Sequence, residues 1–383
     1  MITTTLKGKS LFRGHFIGWR ILGLYPTKKY RQLYIAYSLF VNITISVCYP
    51  LHLMIGLFES NNISDVIENL AINLTCVVCT TKALVIWLKF HEIQNLFDII
   101  RRQDERICLA RDEARYYKNV VFKNVRFVFI MFLILCAVAG SCVELSTLIN
   151  CLMGSWRLLY LGSFPFDPFA STKLYIVAHI YQLVGVSFHI LQNIVHDTYA
   201  AMHLALLSGQ LHALSMRVSK LGRDKKKSKD ENNRELLLCV QDHKDLLEYR
   251  CKLEEFISFY MFLQIFCTTV VLCVTIVFVI LFTTDPFTKM YYCSYFLAMA
   301  GEILPVCYFG SLMEYEFYNL TYALFTSNWL EQNDIFKKNF RIFIESSNKP
   351  LYLNAWFFSI NLKTFLLICK NSYSLYALIS TLK

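Results

Sequence analysis

The sequence predicts an all-α membrane protein of seven transmembrane helices. Three observations lead there. Of 383 residues, 56% are hydrophobic and only 17% are charged, whereas soluble domains carry about a quarter charged residues. Seven mainly apolar runs reach the roughly 20 residues that a spanning helix needs. Lys and Arg crowd into alternate connecting segments, as they do in chains that cross a bilayer repeatedly.

The runs are 33–58, 66–88, 127–150, 174–204, 256–282, 291–313 and 351–380. Inside lipid, each backbone amide must find its partner within its own segment, so these runs are helices. They lack the strict alternation of barrel strands. Glycine and proline are scarce, at 13 and 7 copies. The fourth and seventh runs exceed what a bilayer requires, and tilt or projection into the cytoplasm is expected. Residues 1–32 are basic and lack an apolar core followed by a small-residue cleavage site, so no signal peptide is expected. The first run is then the first span, after a cytoplasmic N-terminus.

Orientation follows from the basic residues. With the N-terminus inside, segments 1–32, 89–126, 205–255 and 314–350 hold 31 of the 38 Lys and Arg. The outer segments hold only Arg157, Lys173, Lys289 and Lys383, while Lys82, Lys363 and Lys370 lie within spans. This predicts N-in and C-out, the reverse of seven-helix G-protein-coupled receptors. Of the glycosylation sequons, Asn62-Ile63-Ser64 alone falls in an outer loop; those at Asn42 and Asn73 lie in spans and that at Asn319 lies inside. Asn62 is the expected glycan site.

The net charge of +10 is spread between apolar runs, which points to a membrane surface and away from nucleic acid. The 14 cysteines lie mostly in apolar runs, where they act as small hydrophobes. Cys76 and Cys79 form a C-x-x-C without polar surroundings or a second ligand pair, so no metal is expected. The inner loop 217–255 opens with a charged break at Arg223–Asp230. An amphipathic stretch follows at about Glu235–Glu255, which suits a helix packed against other cytoplasmic helices.

No hydrolase, zincin or phosphate-loop motif is present, and nothing calls for a cofactor or an enzyme. His189, His196 and His203 recur every seven residues on one helix face, either as a metal stripe or proton relay or as plain histidines on a face that runs into the cytoplasmic end. Glu144 and Glu302 are intramembrane acids, which by default suggest function. Glu144 can serve a pocket or reach the outer interface. Glu302 can pair with a cation or bond a neighbouring helix. Lys82 sits in the inner third of its helix, from where it can snorkel to the cytoplasmic surface. Near the C-terminus, Ser374, Leu378, Thr381 and Leu382 share one helix face. That face can line a pore with a leucine gate, or it can simply pack against another helix.

The C-terminal region resembles the insect odorant receptor family. The resemblance rests on Trp329, on Phe336-Lys337-Lys338-Asn339-Phe340, on Lys349-Pro350, on Thr364-Phe365, and on Lys370-Asn371-Ser372-Tyr373-Ser374. Cys239–Leu246 also looks like that family's segment before the fifth helix. Related gustatory receptors would show Q-F where this chain has Asn371-Ser372. The chain also lacks the long insertion of the shared co-receptor, so it looks like an odour-tuning subunit. The resemblance implies a heterotetramer with the co-receptor in the plasma membrane of olfactory sensory neurons. In that assembly a small volatile ligand opens a non-selective cation pore. It further implies a cytoplasmic anchor at 314–350 and a last helix, in 351–383, whose outer part lines the pore. Leu378 and Leu382 would form the gate, with Thr381 and Ser374 beside it. An odour pocket is implied in the outer half of helices 1–6 (residues 33–313). Its candidate walls are Cys76, Ala137, Gly140, Glu144, His179, Leu183, Tyr292 and Tyr295. A gustatory-type receptor is the alternative, and a secondary transporter a further one, although no internal repeat supports it.

Overall fold

Pro50 shapes the first membrane segment. In the computed structural model, which describes residues 7–25, 30–154, 156–284, 286–349 and 351–381, the predicted first helix is one helical stretch, Arg31–Glu59, built of two α-helical parts. They are α2 (Arg31–Val41) and α3 (Cys48–Glu59), joined by a wide π turn at Asn42–Val47. Proline has no N–H, so it leaves the carbonyl four residues back without its helical donor. That carbonyl belongs to Ser46, and Thr80 Oγ1 donates to it at 2.7 Å. A side chain of the next helix thus supplies what the apolar setting withholds.

Ahead of this segment, a 3-10 turn (Gly8–Phe12) leads into α1 (Arg13–Ile21). The N-terminal stretch is basic yet not peripheral: Phe12 and Trp19 are fully buried, and His15 Nε2 lies 2.9 Å from Thr198 Oγ1. Next come α4 (Ile63–Leu88), α5 (Phe90–Ile107), α6 (Arg111–Tyr116) and α7 (Phe122–Leu152). A π turn at Tyr117–Val121 makes α6 and α7 one continuous rod.

The next two helices outrun any bilayer. α8 (Thr172–Val218) has 47 residues and α9 (Lys229–Leu281) has 53, which at 1.5 Å per residue is roughly 70 and 80 Å. Ser171 caps α8 by accepting the Leu174 N–H. α9 starts earlier than the amphipathic pattern suggested, because Ser228 and Glu231 form a reciprocal capping box just past the lysine run. α10 (Pro286–Phe325) and α11 (Asp334–Ser347) follow, the latter capped by Asn333.

The last helix, α12 (Leu362–Thr381), begins later than the apolar run at 351. Residues 351–361 instead contain a small hairpin, in which β1 (Asn354–Ala355) pairs antiparallel with β2 (Phe358–Ser359). Trp356 turns it with a φ of 51°. Asn361 then fixes the helix start by accepting the Thr364 N–H at 3.2 Å.

Six helical stretches among the described residues are long and apolar enough to cross a membrane. They are Arg31–Glu59, Asp65–Leu88, Arg111–Leu152, Thr172–Val218, Lys229–Leu281 and Pro286–Phe325. α12 corresponds to the seventh run of the sequence; Lys363, Lys370, Asn371 and Ser372 interrupt its apolar character. The chain is a multi-pass membrane protein.

At one end, the projecting parts of α8, α9 and α10 pack with α5, α6 and α11 into a basic body. Arg217 pairs with Glu113 at 2.5 Å and also with Asp242. Arg106 pairs with Asp242 at 3.1 Å and Glu235 at 3.0 Å. A cavity of about 300 Å³ lies beside these pairs. Burial holds the Asp242 carboxyl above its usual range despite the two guanidinium groups. Burial also pushes Asp104 up to about 7, partly offset by the Gly8 N–H that donates to it at 2.6 Å.

Candidate functional site

The half of the bundle remote from the basic body holds a cluster of buried tyrosines. Tyr295 of α10 reaches α4, with its hydroxyl 2.8 Å from Thr75 Oγ1 and donating to the Ala71 carbonyl at 3.3 Å. Tyr292 stacks at an angle against Phe278 of α9, with centroids 4.6 Å apart. Cys76, one residue past Thr75, is buried in the same core.

The loop between α7 and α8 folds back into this cluster. Tyr160 is buried, and its hydroxyl lies 2.9 Å from that of Tyr291. Gln182 of α8 clasps the loop: its Nε2 donates to the Tyr160 carbonyl at 2.8 Å, and its Oε1 accepts the Tyr160 N–H at 3.2 Å. Asn69 of α4 accepts the Leu161 N–H at 3.0 Å. Gly162 permits this close approach, since a Cβ there would lie 2.1 Å from the His52 ring. A loop whose backbone is bonded by side chains of two helices is a fitted plug. Gly185 plays a similar part on α8, where a Cβ would sit 2.2 Å from the Tyr49 ring.

The other predicted pocket residues lie along the contact of α7 with α8. Glu144 is half-buried, with Oε2 3.8 Å from His179 Nε2. His179 stacks on Tyr175, whose hydroxyl donates to the Arg157 carbonyl at 2.8 Å. Gly140 faces Ile190, and Leu183 is half-buried. Ala137 departs from the expected face: it is exposed, and its neighbour Cys136 is buried instead. The helix turns 100° per residue, so the packed stripe runs through 136, 139 and 143 and leaves 137 at its edge.

Deeper in the bundle is a charge centre that corrects the reading of Lys82. Its side chain does not snorkel outward; it is fully buried and pairs with Asp197 of α8 and, at 3.0 Å, with Glu302 of α10. Gln264 of α9 also donates to Glu302. Four helices therefore meet at one charge centre, three of them through the ammonium and α9 through Glu302. The histidine face is buried as well. His189 packs on Tyr49, and His203 Nδ1 lies 2.6 Å from the Tyr249 hydroxyl. No group of three metal-ligating side chains able to hold an ion occurs among the described residues. Cys79 donates its S–H to Asn193 at 2.9 Å.

α12 packs on α9 through Ser372, whose hydroxyl donates to the Thr269 carbonyl at 3.4 Å. Ser374 is exposed. Leu378 and Thr381 belong to the helix, but their side chains are outside the described residues, and Leu382 lies outside them altogether. Asn62 is exposed in the turn ahead of α4.

The sequence model of the 7tm Odorant receptor family matches residues 62–373. The chain belongs to that family. Odorant receptor 59a of Drosophila melanogaster is 33% identical to this receptor over 401 aligned positions, covering 99% of each chain. Odorant receptor 33b of the same organism is 26% identical, covering 99% of this chain and 98% of its own. The fold is similar to that of the insect olfactory receptor OR5 from Machilis hrabei, solved alone and in complex with eugenol. The TM-scores are 0.86 and 0.85, at 17% identity and 98% coverage of both chains. Membership makes this chain an odorant receptor and not an enzyme, and it decides against the gustatory and transporter alternatives. Tyr160, Gln182 and Thr75 of this receptor escaped sequence reasoning. Tyr160 sits among leucines in the loop between α7 and α8, and only the nearby Gly162 hinted at a close approach.

Proposed function

We propose that this receptor is the odour-binding subunit of a ligand-gated, non-selective cation channel. It would assemble with the odorant co-receptor as a heterotetramer in the plasma membrane of olfactory sensory neurons. Its N-terminus and basic body would lie in the cytoplasm, and its C-terminus outside. Family membership, together with full-length similarity of fold to a receptor solved with eugenol, carries this reading.

The pocket of this proposal lies between α4, α7, α8 and α10, under the plug formed by Tyr160. Cys76, Tyr292 and Tyr295 make one wall; Gly140, Glu144, His179 and Leu183 make the other. An apolar, aromatic lining with few polar groups suits a small volatile ligand. Ala137, being exposed, would meet lipid or a neighbouring helix. The conduction face would be that of Ser374, Leu378, Thr381 and Leu382. A ligand favouring the open arrangement moves the closed–open balance by its difference in affinity. Movement of the pocket helices would then swing the end of α12. Asn62 would carry the glycan.

Expression with and without the co-receptor, under voltage clamp with intracellular nucleotides removed, tests this. Odour-evoked current that needs both subunits and no nucleotide is expected. Current that fails without nucleotides would place the receptor in a metabotropic class.

A further inference from the structure

Charge bookkeeping at the Lys82 centre leaves a deficit. One ammonium faces two carboxyl groups, Asp197 and Glu302, and all three side chains are at least 96% buried. No other lysine or arginine among the described residues is buried. With both acids ionised, the centre would hold a net negative charge in the hydrocarbon region, which is strongly disfavoured.

Hydrogen bonding points to where the deficit is made good. Asp197 Oδ1 and Glu302 Oε1 both accept from Lys82 Nζ. The second oxygens, Asp197 Oδ2 and Glu302 Oε2, have no partner among the described residues. Both carboxyl groups lie against the same ammonium nitrogen, which makes them close neighbours. A single proton on the pair removes the excess negative charge and turns one of these buried acceptors into a donor. The remaining ionisable groups around the centre are Cys79, Cys136, His196, Tyr260, Cys267 and Tyr295. Thiols and phenols carry no positive charge, and a cationic His196 would sit fully buried beside the ammonium.

We propose that Asp197 and Glu302 hold one proton between them, which makes the Lys82 centre a neutral, closed proton site joining α4, α8, α9 and α10. The proton belongs to the pair and not to either residue. It follows that either acid can be replaced by its amide without unbalancing the site, because the other acid then ionises against Lys82. A monovalent cation such as sodium is the competing occupant.

Difference infrared spectroscopy on the full-length chain, in lipid nanodiscs and in the complex in which it is expressed, decides between them. Wild type is compared with Glu302→Gln and with Asp197→Asn, in sodium buffer and in N-methylglucamine buffer. The expected result is a protonated-carboxyl C=O band, shifted in deuterium oxide, that is present in wild type in both buffers and lost from both variants. Both variants should reach wild-type yield. An unchanged band in the variants, a band seen only without sodium, or failure of either variant to fold would overturn the proposal.

Discussion

Lys82 and Glu302 stand 220 residues apart in the chain and meet at 3.0 Å inside the bundle. Their contact ties α4 to α10, and Asp197 ties the same lysine to α8. Removing one partner of a buried ion pair leaves the others unpaired and costs about 3–5 kcal/mol. Lys82→Met is therefore expected to abolish most surface expression. Surface biotinylation measures this, and wild-type delivery would show that the centre contributes little.

Gly185 lets the Tyr49 ring lie flush against α8. Gly185→Ala pushes a methyl group into a ring that its surroundings hold, a strain of about 1–3 kcal/mol. A fall in thermal stability in detergent is expected, as is weaker odour sensitivity if the pocket helices shift. Differential scanning fluorimetry gives the first and dose–response recording the second.

Asp104 makes stability depend on pH. Its folded carboxyl titrates near 7, above the ordinary 3.8. The folded state thus keeps a proton that the unfolded state has lost. Stability therefore declines as pH rises from about 4 to 7 and levels off above that. His15, drawn down to about 3, and His243, drawn down to about 4, both by burial, act in the opposite sense below about 6.5. The comparison must therefore be between wild type and Asp104→Asn. The variant is expected to gain about 1–3 kcal/mol on wild type at pH 7 relative to pH 5. Parallel curves would refute the assignment.

Glu144 lies 3.8 Å from His179 at the proposed pocket wall. Glu144→Gln keeps the shape and removes the acid. Responses to basic odorants should weaken by about tenfold, equivalent to about 1.4 kcal/mol, while apolar odorants are unaffected. An unchanged tuning profile would remove Glu144 from the pocket.

Leu378 carries the gate assignment. If Leu378 forms part of the proposed gate, Leu378→Ala weakens it, and resting leak in the co-expressed channel should rise several-fold. Unaltered leak and odour current would leave the face of Ser374 to ordinary packing.

Much of this was legible in the chain. The apolar runs located the spans because length and hydrophobicity alone decide which segments can cross lipid. Their true ends were less visible. α9 begins at a capping box inside a charged stretch, where composition suggested a loop, and α12 begins at the Asn361 cap, because the hairpin turned by Trp356 hides in an apolar run. The partners of Lys82 were invisible for a different reason. Depth along a helix says nothing about which residues of other helices share its interior face. The same holds for Tyr160, which enters the bundle from a loop on the strength of Gln182 and Asn69.

Topology is the most direct test of the central claim. An epitope placed after Lys383 and stained in intact cells should be fully accessible to antibody, with an N-terminal tag reached only after permeabilisation. A C-terminal tag protected in intact cells would contradict the orientation, and with it the proposed pore and pocket.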